Sequence, residues 1–370
     1  MAVYSGAEIL ERSGWSSKSR RVGLITNPTA VTRTLRPTYD ILAEKFDLAA
    51  MFSPEHGVRG DIQAGGEVSE YIDSETGIPV YSLYGKGRAR ADEIMATLDH
   101  VYFDICDIGS RYYTFQYTMT EAMQNCAAHG IPFTVLDRPP VIGFRADGNI
   151  LDPRFSSFVG KYPTAARSGL SIGEFAMYIN KTENIGCSLT VIGCENVRRD
   201  MYFEETGLPF VPPSPNIPTV DTALVYVGTC LFEGTNLSEG RGTTKPFEQL
   251  GAPWLKNRAV IEEMNSLPHD GCMFRETYFT PTFSKYSGEL CRGIELHVTD
   301  RDSFMPFETA LRLICSIRRR CPEFRFGSSM PLLFGSDAIL DESFSAEEYI
   351  ASYAAGLEKY KKAISGFFIY

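Results

Sequence analysis

The chain has 370 residues, of which 44% are hydrophobic and 22% charged, with a formal net charge of -10. That composition excludes a mainly disordered chain, and the acidic balance argues against nucleic acid as a partner, which would call for a basic surface. No run reaches the ~20 apolar residues that span a bilayer, and the length predicts two domains.

In chain order, RRVGLITNPTAV predicts a buried strand over Val22–Thr26 that ends in an Asn-Pro turn. Tyr39, Leu42 and Phe46 share one face of a helix over Thr38–Lys45. FDLAAMFSPEHG, IPVYSLYG, HVYFDICDIG and IPFTVLDRPP each read as a strand running into a loop, with an amphipathic stretch at Thr118–His129. This rhythm predicts an α/β fold: a Rossmann-like N-terminal domain (1–225) with a mostly parallel sheet, whose ligands gather beyond the carboxyl ends of the strands. Ser171 and Glu174 form a capping-box pattern for a helix over Ser171–Ile179, and Leu189–Gly193 reads as a strand. GLPFVPPSPNIPT carries five prolines and predicts a fixed, extended connector. LVYVGTCLFEG reads as helix or strand. A strand at Gly293–Thr299 and helices at Glu308–Arg320 and near Ala346–Ile364 give 226–370 the character of a smaller α+β domain closing the cleft.

The nine cysteines are scattered, with no CxxC, so neither a zinc site nor a disulfide framework is indicated and a reducing compartment is the simpler reading. MAVYSGAEIL shows no leader pattern. Neither organic cofactor nor metal is called for.

The candidate chemistry lies in loops. SPEHGVRGD gathers Glu55, His56, Arg59 and Asp61 at a strand end; adjacent Glu and His diverge, so the pattern is poor for a metal and better for Glu55 as acid, base or nucleophile, with His56 or Arg59 tuning it or binding substrate. DIGSRYYTFQYT supplies Asp107, Arg111, Tyr112 and Tyr113, an aromatic group suited to walling a sugar ring. Asp137 of DRPP fits a ligand residue or a turn cap equally. PPSPNIPT offers Asn216 on a stiff backbone. EGTNLSEGRGTT places Glu233, Asn236, Glu239, Arg241 and Thr243 among three glycines that permit close approach to a ligand. Two carboxylates from distant segments suit hydrolysis of a glycosidic bond, and an arginine suits a substrate carboxylate. GLSIG matches the letters of a nucleophile elbow, but KYPTAARS before it carries no strand pattern. LYGKGRAR reads as an exposed loop.

Seven stretches in order, GLITNPTAV, SPEHGVRG, TGIPVYSLYG, FDICDIGSRYYT, VLDRPP, PPSPNIPT and LFEGTNLSEGRGTTKPFEQLGAPW, resemble the exo-β-N-acetylmuramidase (NamZ-type) family, formerly a domain of unknown function. The resemblance runs from about Ala7 to the C-terminus. It implies a glycoside hydrolase that releases N-acetylmuramic acid from the non-reducing end of peptidoglycan fragments, a cleft between two domains, and a periplasmic or secreted setting. It carries the leading catalytic role to Glu55 and places Glu233–Thr243 along the site, with Arg241 for the lactyl carboxylate. Between Glu233 and Glu239 the reading leans to Glu239, because of the glycine beside it. Many relatives carry a proline and a ring-bearing residue where this chain has Ala165 and Ser168, which bears on specificity. The alternatives are a non-catalytic muropeptide or sugar binder and a metal-dependent amidase or deacetylase around His56.

Overall fold

The structure is a computed structural model and describes residues 1–60, 70–267 and 271–370; Asp61 lies outside them. The first half comprises α1 (Gly6–Arg12), β1 (Ser17–Thr26), α2 (Thr38–Lys45), β2 (Phe46–Ser53), β3 (Tyr71–Ile72), β4 (Pro79–Ser82), α3 (Arg88–Met95), β5 (His100–Asp104), α4 (Phe115–His129), β6 (Phe133–Leu136), β7 (Ala146–Ile150), β8 (Ala165–Ser168), α5 (Ile172–Thr182) and β9 (Leu189–Ile192). The second half comprises α6 (Val220–Thr229), β10 (Gln249–Ala252), α7 (Asn257–Ser266), β11 (Cys272–Phe279), β12 (Cys291–Val298), α8 (Pro306–Arg320), α9 (Met330–Phe334) and α10 (Ala346–Ile364).

The main sheet runs β3-β4-β2-β1-β5-β6-β9, parallel throughout except where β3 pairs antiparallel with β4. Without β3 this is the Rossmann order, three strands laid outward on each side of a switch between β1 and β5. Val22, Leu24 and Ile25 are fully buried, as are Val101, Tyr102 and Phe103 beside them. At roughly 1.5–3 kcal/mol per buried large apolar side chain, these two central strands anchor the fold. The polar half of β1, Ser17–Arg21, lies toward solvent, so only the second half shows as a buried strand in the sequence. Smaller sheets follow: β10-β12-β11 and the pair β7-β8, both antiparallel.

Two sequence expectations are corrected here. Ala165–Ser168 forms β8 although no strand pattern marks it, because its partner β7 and the loop at Gly109 supply its hydrogen bonds. Arg88–Met95 is a helix rather than an exposed loop, its face fixed by buried Ala91 and Met95. The GLSIG stretch therefore does sit between a strand and a helix. Ser171 nevertheless has relaxed extended backbone, is fully buried, caps α5 in a complete capping box and donates to Asp137 at 2.7 Å, so it is no exposed nucleophile.

At the switch point itself, Arg138 pairs with fully buried Asp104 through two nitrogens, and Thr38 donates to the same carboxylate at 2.5 Å. Phe203, Leu208, Pro209, Phe210 and Val211 cover this spot. The space left at this switch point is only about 10 Å³, too little for a dinucleotide, and the open cleft lies to the β2 and β4 side.

Candidate active site

A cleft of about 200 Å³ lies beyond the carboxyl ends of β2, β4 and β5. Glu55 enters it from the turn after β2. That turn closes with Gly57 N–H donating to Pro54 O at 3.2 Å, and its last two residues are left-handed, His56 at φ 76° and Gly57 at φ 80°. A left-handed histidine is uncommon and costs about 1 kcal/mol or more, the kind of strain that collects at functional sites. Thr114 Oγ1 donates to Glu55 Oε2 at 3.3 Å. Thr114 is also the N-cap of α4, whose first turn carries no acid of its own, so the helix dipole favours a carboxylate there.

The opposite wall comes from the end of α6. The helix tightens to a 3-10 turn over Cys230–Gly234, and Tyr226, Cys230 and Glu233 follow one another along its inner face. Glu233 and Arg241 both line the cleft, and Arg241 Nη2 donates to Glu233 Oε1 at 2.6 Å. Arg241 Nε is 3.2 Å from Glu239 Oε1, and Lys285 Nζ is 3.1 Å from Glu239 Oε2. The order Glu233, Arg241, Glu239, Lys285 therefore alternates in charge away from the cleft. Burial raises the Glu233 carboxyl above the ordinary glutamate range; the Arg241 charge opposes this and the Glu239 charge adds to it.

The floor is aromatic. Tyr226 meets Phe247 edge-on at 4.7 Å, Tyr113 at 6.0 Å and Tyr112 at 6.3 Å. All four are buried and line the cleft, and desolvation pushes all three phenols up, so they stay neutral. Ser214 and Asn216 from the proline-rich connector complete the floor. Such a pocket, apolar-faced with a few convergent polar groups, suits a sugar ring.

The structure thus brings Glu55, His56, Tyr112, Tyr113, Asn216, Glu233 and Arg241 into one cleft. The other residues singled out in the sequence are placed elsewhere. Glu239, favoured there as the second carboxylate, is 2% exposed and held between Arg241 and Lys285 behind the wall. Arg111 is fully buried and donates to the carbonyls of Asn149, Thr164 and Phe334 and to Asn149 Oδ1, a cation spent on the core. Arg59 forms a bidentate pair with Asp73 at 3.0 and 2.8 Å. Asp107 is buried and accepts from Gly109 N–H at 2.7 Å. Asn236 bonds Glu323 O and Arg325 N–H, joining its loop to 323–325. Thr243 braces the turn through Gly240 O, Lys245 N–H and Gln249. Asp137 ties α5 to Tyr370. Ala165 and Ser168 are buried in β8 and do not line the cleft.

The glycines of this loop lie tight against the protein itself. Gly242 has φ +78°, and a Cβ there would come within 2.7–2.8 Å of the Phe283 backbone. The 280–286 stretch in fact latches the whole loop from behind. Thr282 N–H donates to Gly242 O at 2.9 Å, and Tyr286 OH donates to Asn236 O at 2.8 Å while accepting from Trp254 Nε1 at 2.9 Å. Lys285 Nζ donates to the carbonyls of Phe232, Glu233 and Leu237 at 2.9, 3.2 and 2.9 Å. This latch, and the cleft residues Tyr84, Phe158, Tyr226 and Phe247, escape a reading of motifs. Only the Tyr226–Cys230–Glu233 spacing, once α6 is taken as a helix, could have shown one of them.

Among the described residues no group of three or more His, Cys, Asp or Glu is placed to hold a metal, and no helix is long and apolar enough to cross a membrane. All nine cysteines are free thiols.

A doubly wound sheet whose carboxyl-end cleft is lined by two carboxyls, an arginine and an aromatic floor has the scaffold and the groups that suit a glycoside hydrolase. Residues 22–221 match the family described as exo-β-N-acetylmuramidase NamZ, N-terminal, and residues 224–370 its C-terminal counterpart, so the chain belongs to that family. It is 49% identical over 362 residues, 95% of this chain and 87% of the relative, to the peptidoglycan β-N-acetylmuramidase NamZ of Bacillus subtilis (strain 168). Crystal structures of two DUF1343 family proteins of Bacteroides fragilis NCTC 9343 match with TM-scores of 0.90 and 0.81 at 30% and 29% identity, each covering 100% of this chain and 99% of its own.

Proposed function

We propose that the chain acts as an exo-β-N-acetylmuramidase through Glu55 and Glu233, releasing N-acetylmuramic acid from the non-reducing end of peptidoglycan fragments. The family assignment supports the activity; the observation that supports the residue roles is that these two carboxyls, 178 positions apart in sequence, line one aromatic-floored cleft. In this reading the terminal sugar lies on Tyr112, Tyr113, Tyr226 and Phe247. Glu55 gives a proton to the glycosidic oxygen as that bond breaks, and takes one from the water that replaces the leaving group. Glu233 stands across the ring, where positive charge develops. Two of Arg241's three nitrogens are held by Glu233 and Glu239, so it meets the lactyl carboxylate through the third. Glu239 acts at one remove, fixing Arg241. Units 1–225 and 226–370, joined through α6, are part of the same proposal.

The test is a chromogenic N-acetylmuramide. Wild type releases the chromophore, and Glu55→Gln lowers kcat/KM by about 10³-fold, in the range for loss of a general acid, with the melting temperature unchanged. Binding of the sugar without release by wild type would sink the proposal.

A further inference from the structure

We propose that Tyr84 and Phe158 form an aromatic lip that seats the leaving-group sugar, so that the enzyme reads a pyranose ring on the reducing side of the bond it cuts. This rests on the reading above. Phe158 is 43% exposed yet held stiffly. It sits at the tip of a two-residue turn closed by reciprocal backbone bonds, Ser157 N–H to Gly160 O at 2.8 Å and Gly160 N–H to Ser157 O at 3.2 Å. Tyr84 follows β4, and the two rings meet at 5.7 Å between centroids with planes 50° apart. Both rings line the cleft. Tyr84 is close enough to Glu55 that the carboxylate's charge, after burial, raises its phenol.

The cleft therefore has two aromatic parts of different character. The floor rings Tyr112, Tyr226 and Phe247 are 2%, 7% and 1% exposed and form the enclosed end, as a terminal sugar needs. The lip is open to solvent on the Glu55 side. A proton donor stands at the oxygen between the two sugars, so a ring on the open side of that donor belongs to the leaving group. Phe158 rests on Tyr84 and still leaves 43% of its surface open. It offers a flat apolar surface to the C–H face of a pyranose.

The measurement is the ratio of kcat/KM for a disaccharide bearing N-acetylmuramic acid at its non-reducing end to kcat/KM for N-acetylmuramyl fluoride, whose leaving group has no ring. In Phe158→Ala this ratio is expected to fall about five- to tenfold, and in Phe158→Trp to stay within about twofold of wild type. A ratio unchanged in Phe158→Ala overturns the lip while leaving the catalytic reading intact. Hydrolysis of neither compound by wild type overturns both.

Discussion

Single residues show where chemistry and packing part company. Asp107 and Arg111 read alike in the sequence, as polar groups in a loop after a strand, yet neither lines the cleft. Burial raises the Asp107 carboxyl to about 7, against 3.8 for an ordinary aspartate, despite bonds from Gly109 and Gln116 that lower it. A folded-state value above the unfolded one means the native state holds the proton more tightly. Titration of Asp107 therefore costs no stability below about pH 4, and stability falls as pH rises from there toward 7, because the unfolded chain ionises first. Asp107→Asn keeps the acceptor for Gly109 and removes the charge. It is expected to raise unfolding free energy by a few kcal/mol at pH 7.5, since each tenfold change in proton affinity is worth about 1.4 kcal/mol, and by little at pH 4. Equal gains at both pH values in denaturant titrations would show that the group does not titrate in this range. Arg111 was not legible for a plain reason: its acceptors lie 38, 53 and 223 positions away, and only the fold brings them together. Glu55 was legible because its turn, Pro54 to Gly57, is local.

At the scale of elements, the working loop after α6 depends on a hairpin connection that no motif marks. Lys285 holds three carbonyls and Glu239 at once, capping the 3-10 turn at its carboxyl end. Lys285→Met leaves Glu239 buried beside one cation instead of two. The expected loss is about 2–4 kcal/mol of stability, with kcat/KM down at least tenfold. Its charge also lowers the Glu233 carboxyl, so its removal is expected to move the acid limb of the kcat–pH profile upward. A variant with lowered melting temperature but an unmoved acid limb would confine Lys285 to a structural role. Elements with strong internal signals were readable in advance: α2, α10 and the capping box of α5 stand where the sequence predicts them. Elements defined by partners, such as β8, β10 and β11, were not.

Over the whole molecule, one apolar cluster runs from Val3 to Ile364 and includes side chains of both the Rossmann-like sheet and the later helices α8 and α10. The chain end returns to the first half, where Tyr370 OH donates to Asp137 at 2.7 Å and Ile369 N–H to Glu174 at 2.8 Å. Thermal unfolding is accordingly expected as a single calorimetric transition with coincident near-UV and far-UV midpoints, and two resolved endotherms would contradict it. The sequence conveyed the α/β order because strand and helix signals are local, but not this shared interior, which arises only when distant segments meet. The indole of Trp254 has a wider use. The chain has only one other tryptophan, Trp15, which lies against Phe46 far back along the sequence. Trp254 touches Tyr286, and Tyr286 grips the loop bearing Glu233 and Arg241. With Trp15 replaced by phenylalanine, the remaining emitter becomes an optical gauge of that loop, needing neither dye nor label.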